Sequence, residues 1–327
     1  MMTEPLDIAA LAATLRASSG LAAKADIGAV SERLGLAAPT VVPIGDDCAA
    51  IPDGDGYLLF AIEGFMNEFV ATDPWFAGWC GVMVNLSDIA AMGGRPLAVV
   101  DALWADGAEK AKPVLDGLRA AAEAYGVPIV GGHSNLRTDR GQLSVAILGR
   151  ARRLLTSFDA RPGERLIAAI DLRGRYREPF SNWEAATDAP PARLRGDLEL
   201  LPAIAEAGLC KAAKDISQGG IVGTAAMLAE CSGVGIDIEP GLVPGPDHVP
   251  MQRWLTSFPS FGHLLSVAPA HVDEVLRRFT GRGIAAADIG AIVPGHRVRI
   301  GTHGVHETIW DFSARPLLGC VQREDAA

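Results

Sequence analysis

The stretch Val84–Pro96, VNLSDIAAMGGRP, decides how this chain is read. A polar cluster, Asn85, Ser87 and Asp88, runs into small apolar residues and stops at Gly93-Gly94, with Pro96 just beyond. Asn and Ser before an apolar run are helix-start chemistry, and Gly-Gly followed by Pro is helix-stop chemistry. The expectation is a short, close-packed helix with Asn85 and Asp88 one turn apart on one side. Alone, such a segment reads as a capped core helix. Its company gives it more weight: Gly45-Asp46-Asp47-Cys48 and Glu63-Gly64 upstream, Gly131-Gly132-His133-Ser134-Asn135 and Asp215-Ile216-Ser217-Gln218-Gly219-Gly220 downstream.

Outward from that stretch the pattern alternates strands with helices. Residues 5–36 read as helical, with Leu6, Ile8, Leu11 and Leu15 on one face, a break at Ser18-Ser19-Gly20, and a second helix from Ile27 to Leu34. From Val41 the period changes. VVPIGDDCAAIP and GYLLFAIEG read as strands joined by a turn at residues 52–56. Asp73-Pro74 starts a helix leading into the central stretch, LAVVDALW is a buried strand, and residues 108–125 are helical. VPIVGG reads as a strand ending on glycines, GGHSN as a loop, and LSVAILGRA as the next strand. Residues 152–195 are long, polar and Pro-rich in their later part, either a lid or a surface loop. A second interleaved set of helices and strands follows, with its last strands near residues 286–301. The fold class is therefore α/β, in two domains: 1–151 and 160–300, with a tail at 301–327. The strands at 57–62, 97–103 and 143–149 are more apolar than a one-sided sheet buries, which an isologous homodimer would explain.

Composition narrows the function classes. The chain has 327 residues, 49% hydrophobic, and a net charge of −10, which excludes a nucleic-acid backbone or an anionic membrane as its partner. No apolar run is long enough for a membrane span, and the N-terminus lacks the basic region of a signal peptide. Five scattered cysteines with no C-x-x-C are the reduced thiols of a cytoplasmic protein.

Adjacent carboxylates at Asp46-Asp47 repel one another unless a cation compensates, and Mg²⁺ takes oxygen ligands shared with phosphates. The alternative is an Asx turn opening the next segment. Gly131-Gly132 lets backbone N–H groups approach an anion. His133 is either a ligand contact or a satisfied histidine, and no second His or Cys stands at zinc spacing. Neither the dinucleotide fingerprint nor the P-loop motif occurs.

Together these motifs resemble the aminoimidazole-ribonucleotide (AIR) synthetase superfamily, the PurM-like proteins, closest to selenide, water dikinase and thiamine-monophosphate kinase. VNLSDIAAMGGRP resembles the N-x-x-SD-x-x-AMG-x-x-P signature, GDDCAA the GDDAA segment, GGHS the dikinase loop, and KDISQGG the D-x-[ST]-x-G segment. The resemblance implies ATP and Mg²⁺ as cofactors, a homodimer whose N-terminal domains pair into a β-barrel, and a C-terminal α/β sandwich. It implies that Asp47, Asp88 and Asp215 ligate metal. It places Asp46, Glu63, Asn85, Gly131, Gly132, His133 and Ser217 against the nucleotide, and Lys24 at the phosphates as the catalytic residue. The chain departs from the family where the dikinase carries its Cys or selenocysteine, here Leu21, where Glu63 replaces an Asp, and where Gln218 replaces an Asp of the kinase. The expectation is an ATP-dependent phosphotransferase or ATP-activating enzyme acting on a small-molecule acceptor. The alternatives are a nucleotide-binding assembly or regulatory subunit without turnover, or a divergent selenophosphate synthetase or thiamine-phosphate kinase.

Overall fold

The computed structural model describes residues 7–35, 41–302 and 304–320. Residues 5, 6 and 36 of the expected helical run, and 321–327 of the expected tail, lie outside the described residues. The chain is mixed α/β, as its pattern requires, and divides into two compact units.

One unit comprises Asp47–Leu154 with the returning segment Ala186–Glu206. Its five-stranded sheet runs in the order Ala49–Asp53, Gly56–Phe65, Arg137–Ala151, Arg95–Asp106, Ile129–Asn135. All neighbours are antiparallel except the last pair, which is parallel. The helices Pro74–Ala91 and Ala108–Tyr125 pack on each other and on this sheet. Strand alternation then sorts the side chains: Leu59, Val99, Val145 and Ile147 are buried, while Phe60, Ile62 and Val100 are exposed. Ile62, Ala146, Val100 and Gly131 lie side by side across four strands, which places the exposed apolar residues on one face.

The central stretch is the end of a helix, not a whole one. Pro74–Ala91 starts where Asp73 accepts a hydrogen bond from the Phe76 N–H at 3.3 Å, so Asn85 and Asp88 lie in its final turns. Asp73-Pro74 wins because a capping carboxylate with Pro at the first position satisfies the free N–H groups there, and nothing interrupts the helix before Gly93. Nearly every residue from Phe76 onward is buried, the signature of a helix packed all round. Gly93, at φ 75°, ends it, and its N–H reaches the Ala90 carbonyl at 2.8 Å. A side chain at Gly94 would collide with Leu59 Cδ1, so the helix end lies directly on the sheet.

The other unit combines the stretch ending at Asp46, Leu155–Ala185, and the chain from Ala207 onward. Its seven-stranded sheet runs Val305–Asp311, Arg297–Thr302, Gly235–Ile238, Ala285–Val293, Arg165–Ile170, Gly262–Val267, Ala212–Asp215. The helices Ser19–Leu34 and Gly220–Ser232 belong to this unit. Ser19–Leu34 begins eight residues before the expected Ile27, because Ser18 caps it through the Leu21 N–H. Gly20 packs so closely on Gln218 that a side chain there would meet its carbonyl oxygen. The polar stretch within 152–195 is not a bare loop. Arg175–Tyr176 and Asn182–Glu184 form a small sheet with Phe258–Pro259, around a Trp183 that is 1% exposed.

Candidate functional site

Residues 41–48 form turns and bends instead of the expected strand, so Asp46-Asp47 precede the first strand and do not end it. Pro43 and Gly45, the latter at φ 122°, break the extended pattern. Both carboxylate oxygens of Asp46 are engaged within its own unit: the Ser157 N–H donates to one at 2.8 Å and the Ser157 hydroxyl to the other at 2.7 Å. Asp46 therefore clasps the turn that presents its neighbour, Asp47.

Asp47 and Asp88 lie in one unit and offer carboxylate oxygens within 4.8 Å of each other. Asp88 is 5% exposed. Two carboxylates at that separation repel unless a cation or proton lies between them, and their oxygens are the hard donors that Mg²⁺ prefers. One turn back on the same helix, Asn85 is 0% exposed. Its Nδ2 donates to the Gly81 carbonyl at 2.8 Å, while its Oδ1 has no hydrogen-bond partner among the described residues. A buried acceptor left so is costly, by about 1–3 kcal/mol, and suits a donor supplied by a ligand. The donor set in this unit thus fits a hydrated divalent ion.

Asp215 ends the strand Ala212–Asp215 in the other unit, paired with His263 and 3% exposed. Ser217 follows it. Its N–H donates to Thr224 Oγ1 at 3.3 Å, and its own Oγ is buried with no hydrogen-bond partner among the described residues. Lys24 lies half-buried in the second turn of the helix Ser19–Leu34. Leu21, one turn earlier, is 1% exposed, with Cδ1 3.9 Å from where a Gly223 side chain would begin. Leu21, where the sequence resemblance puts the dikinase nucleophile, is a core packing position here.

Gly131, Gly132 and His133 form an edge strand, Ile129–Asn135, and not the expected loop. The reason is pairing: Val100, Asp101 and Ala102 bind them in parallel register, which extends the strand through the glycines. The strand is exposed along its length. The His133 ring lies tilted against Trp104, with ring centroids 5.8 Å apart and planes at 53°. Glu63 lies on the same register row as Val145, Asp101 and Gly132, half-buried, and the Ser144 hydroxyl donates to its backbone carbonyl at 2.9 Å. Asp101 is a residue that motif reading passes over. Its one signal is a lone carboxylate in the otherwise apolar LAVVDALW. Burial raises its pKa above the ordinary carboxylate range, against a smaller opposing effect of its backbone hydrogen bond.

Comparison with known proteins agrees with this architecture. Residues 45–151 match the model of the AIR synthase related protein N-terminal domain, and residues 180–303 that of the C-terminal domain. An uncharacterized protein of Synechocystis sp. is 47% identical over 85% of this chain and 87% of its own length. A second uncharacterized protein, from Methanocaldococcus jannaschii, is 32% identical over 86% and 88% respectively. The chain therefore belongs to the AIR synthase related family, within the PurM-like superfamily. Thiamine-monophosphate kinase of Methanospirillum hungatei is 28% identical over 63% of this chain and 72% of its own. Among solved structures, T. maritima PurL complexed with ADP superposes with a TM-score of 0.73 at 19% identity, over 98% of this chain. The chain spans about half of that protein, 53% of its length. AaThiL complexed with AMPPCP and TMP gives 0.63 at 20% identity, over 86% of this chain and 94% of its own. At these identities the two structures establish the fold. No helix among the described residues is long and apolar enough to cross a membrane.

Proposed function

We propose that this chain is an ATP- and Mg²⁺-dependent phosphotransferase or ATP-activating enzyme that acts on a small-molecule acceptor, as a cytoplasmic homodimer. The observation that carries this reading is the approach of Asp47 and Asp88 to within 4.8 Å, at the two positions where the family motifs put metal-ligating aspartates. The ADP complexed with T. maritima PurL and the AMPPCP and TMP complexed with AaThiL, two proteins of this fold, support it.

Bound Mg²⁺ supplies charge neutralisation for the phosphate oxygens, which is most of what phosphoryl transfer asks of a protein. The chain's own residues do the rest. Asp47 and Asp88 would hold the ion, and the likeness of KDISQGG to the family's D-x-[ST]-x-G segment assigns Asp215 a metal-ligating role. Asp46 fixes the turn through Ser157. Asn85 Oδ1, buried without a partner among the described residues, would accept a hydrogen bond from the bound ligand. Lys24 reaches the phosphates, while Glu63, Gly131, Gly132, His133 and Ser217 position the nucleotide.

ATP hydrolysis measured with and without Mg²⁺ tests the proposal. Mg²⁺-dependent phosphate release is the expected result. Retained nucleotide affinity with no release, in the presence of the small molecules that co-purify with the chain, would make it a binding subunit instead.

A further inference from the structure

Cys231 and Cys320 lie 89 residues apart in the chain, yet their sulfurs approach to 2.8 Å. Both belong to the unit that holds the seven-stranded sheet. Cys231 is 2% exposed, in the last turn of the helix Gly220–Ser232, and Cys320 is partly exposed. The approach is built by the residues around it. The Glu230 carboxylate accepts three successive backbone N–H groups, from Leu317 at 2.9 Å, Leu318 at 2.6 Å and Gly319 at 3.2 Å. Gly319, at φ 70°, then turns the chain so that Cys320 meets Cys231. On the other side Gly45 leaves the necessary room. A side chain there would collide with Cys320 Sγ and come within 3.2 Å of Cys231 Sγ. Cys320 also lines a cavity of about 300 Å³ with Glu230, His296, Phe312 and Ser313, so a small reagent can reach it.

We propose that Cys231 and Cys320 are a reversible thiol–disulfide pair, with Cys320 the point of attack on a low-molecular-weight disulfide of the glutathione class. The Cys320 thiolate attacks one sulfur of RS–SR, forms Cys320–S–SR and expels RS⁻, which takes up the proton that Cys320 released. The Cys231 thiolate then attacks the Cys320 sulfur, closes the Cys231–Cys320 bond and expels the second RS⁻, which takes the Cys231 proton. Two protein thiols lose two electrons, and one RS–SR becomes two RSH. The sulfurs have under about 1 Å to travel to reach a bond length of about 2.05 Å.

The division of labour follows from exposure. Burial first, and then the neighbouring Cys320, pushes the Cys231 thiol well above its ordinary range, so Cys231 acts second. Cys48, Cys80 and Cys210 are all buried, and burial pushes the Cys210 thiol up to about 12. The closed pair would pin the segment 317–320 to the helix end and hold Gly45, the residue just before Asp46-Asp47.

The experiment is to treat the reduced full chain with excess oxidised glutathione, count thiols after denaturation and map the products by mass spectrometry. The expected result is loss of two of the five thiols, a Cys231–Cys320 peptide, full reversal by a dithiol reductant, and a higher Tm in the oxidised sample. Cys231→Ser should stop at the glutathione adduct on Cys320, and Cys320→Ser should remain unmodified. A stable adduct on Cys320 in the wild type, five thiols retained, or modification confined to Cys48, Cys80 or Cys210 would overturn the proposal. The wild-type map decides the matter alone if either variant fails to fold.

Discussion

Gly132 lies against Asp101 so closely that a side chain there would begin 2.5 Å from the Asp101 carboxylate Oδ1 and 2.6 Å from its backbone oxygen. Across the same parallel pairing, Gly131 has nothing within 4 Å of that point. The two glycines of one motif are therefore glycine for different reasons. Gly132→Ala should destabilise the fold by about 1–3 kcal/mol through overpacking. Gly131→Ala should leave stability unchanged or slightly raised, since alanine loses less backbone freedom in a strand. Denaturant melts of both variants, followed by nucleotide titration, separate packing from binding. A fold-neutral Gly131→Ala that weakens nucleotide binding identifies a backbone contact there, and equal destabilisation of the two contradicts the packing argument.

Asp101 yields a pH dependence. Burial raises its folded pKa above the unfolded value of 3.8. Its contribution to stability is thus fully present below that unfolded value and is lost as pH rises through the folded pKa. At neutral pH the charged form is held in a partly desolvated place, and Asp101→Asn should raise Tm there. The gain should shrink as pH falls through the folded pKa toward the unfolded value, as the wild-type carboxyl takes up its proton. Thermal melts from pH 4 to pH 8 check this, and a constant difference across that range would show that burial is not the cause.

Asp88→Asn removes one of two carboxylates that face each other across less than 5 Å. Without a cation that pair is repulsive, so the apo variant should melt at the same temperature as the wild type or higher. Affinity for Mg·ATP should fall at least about tenfold, roughly 1.4 kcal/mol. Calorimetric titration measures the second effect and a thermal melt the first. Unchanged Mg·ATP affinity would remove Asp88 from the metal site.

Sequence pattern reached some of this more readily than the rest. The helix stop at Gly93-Gly94 was legible because only an αL residue followed by close backbone approach explains two glycines before a proline. Asn85 misled as a helix start because a polar residue buried inside a helix and a polar residue capping one look alike in one dimension. Trp183 stayed hidden because strands of two and three residues carry no period, so the polar residues around them read as loop. The GGHSN strand was lost for another reason: its pairing partner, not its own composition, extends it. The thiol pair was beyond pattern reading, since a spacing of 89 residues says nothing about contact.

The exposed sheet face leads to a prediction about assembly. Ile62 is 66% exposed, Phe60 48% and Val100 39%, which makes an apolar face that one copy of the chain leaves in water. Covering it with a second copy through a two-fold contact suits such a surface. Light scattering at micromolar concentration should give about twice the 34.2 kDa of one chain. Ile62→Glu should shift the mass toward one chain, with little change in the secondary structure seen by circular dichroism. A wild-type mass of a single chain would exclude the dimer.

Leu21 and Lys24 separate the branches of the family. Chalcogen chemistry at the first position needs an ionisable, polarisable atom, and Leu21 is a fully buried hydrocarbon packed toward Gly223. None of the five cysteines takes its place in the sequence. Cys48 is next to Asp47, but it is 5% exposed and has negative charge beside it, two conditions that work against a thiolate. The chain should therefore form no AMP from ATP in response to selenide. Lys24 is on the same helix, one turn further and half-buried, where a flexible ammonium can reach out of the packed surface. Lys24→Ala should lower ATP turnover at least about tenfold, roughly 1.4 kcal/mol of transition-state stabilisation. Nucleotide products from the wild type, Lys24→Ala and Cys48→Ser, each with and without selenide, test both claims at once. Selenide-stimulated AMP from the wild type would return the chain to the dikinase branch, its loss in Cys48→Ser would identify the replacement nucleophile, and full activity of Lys24→Ala would take the lysine out of the site.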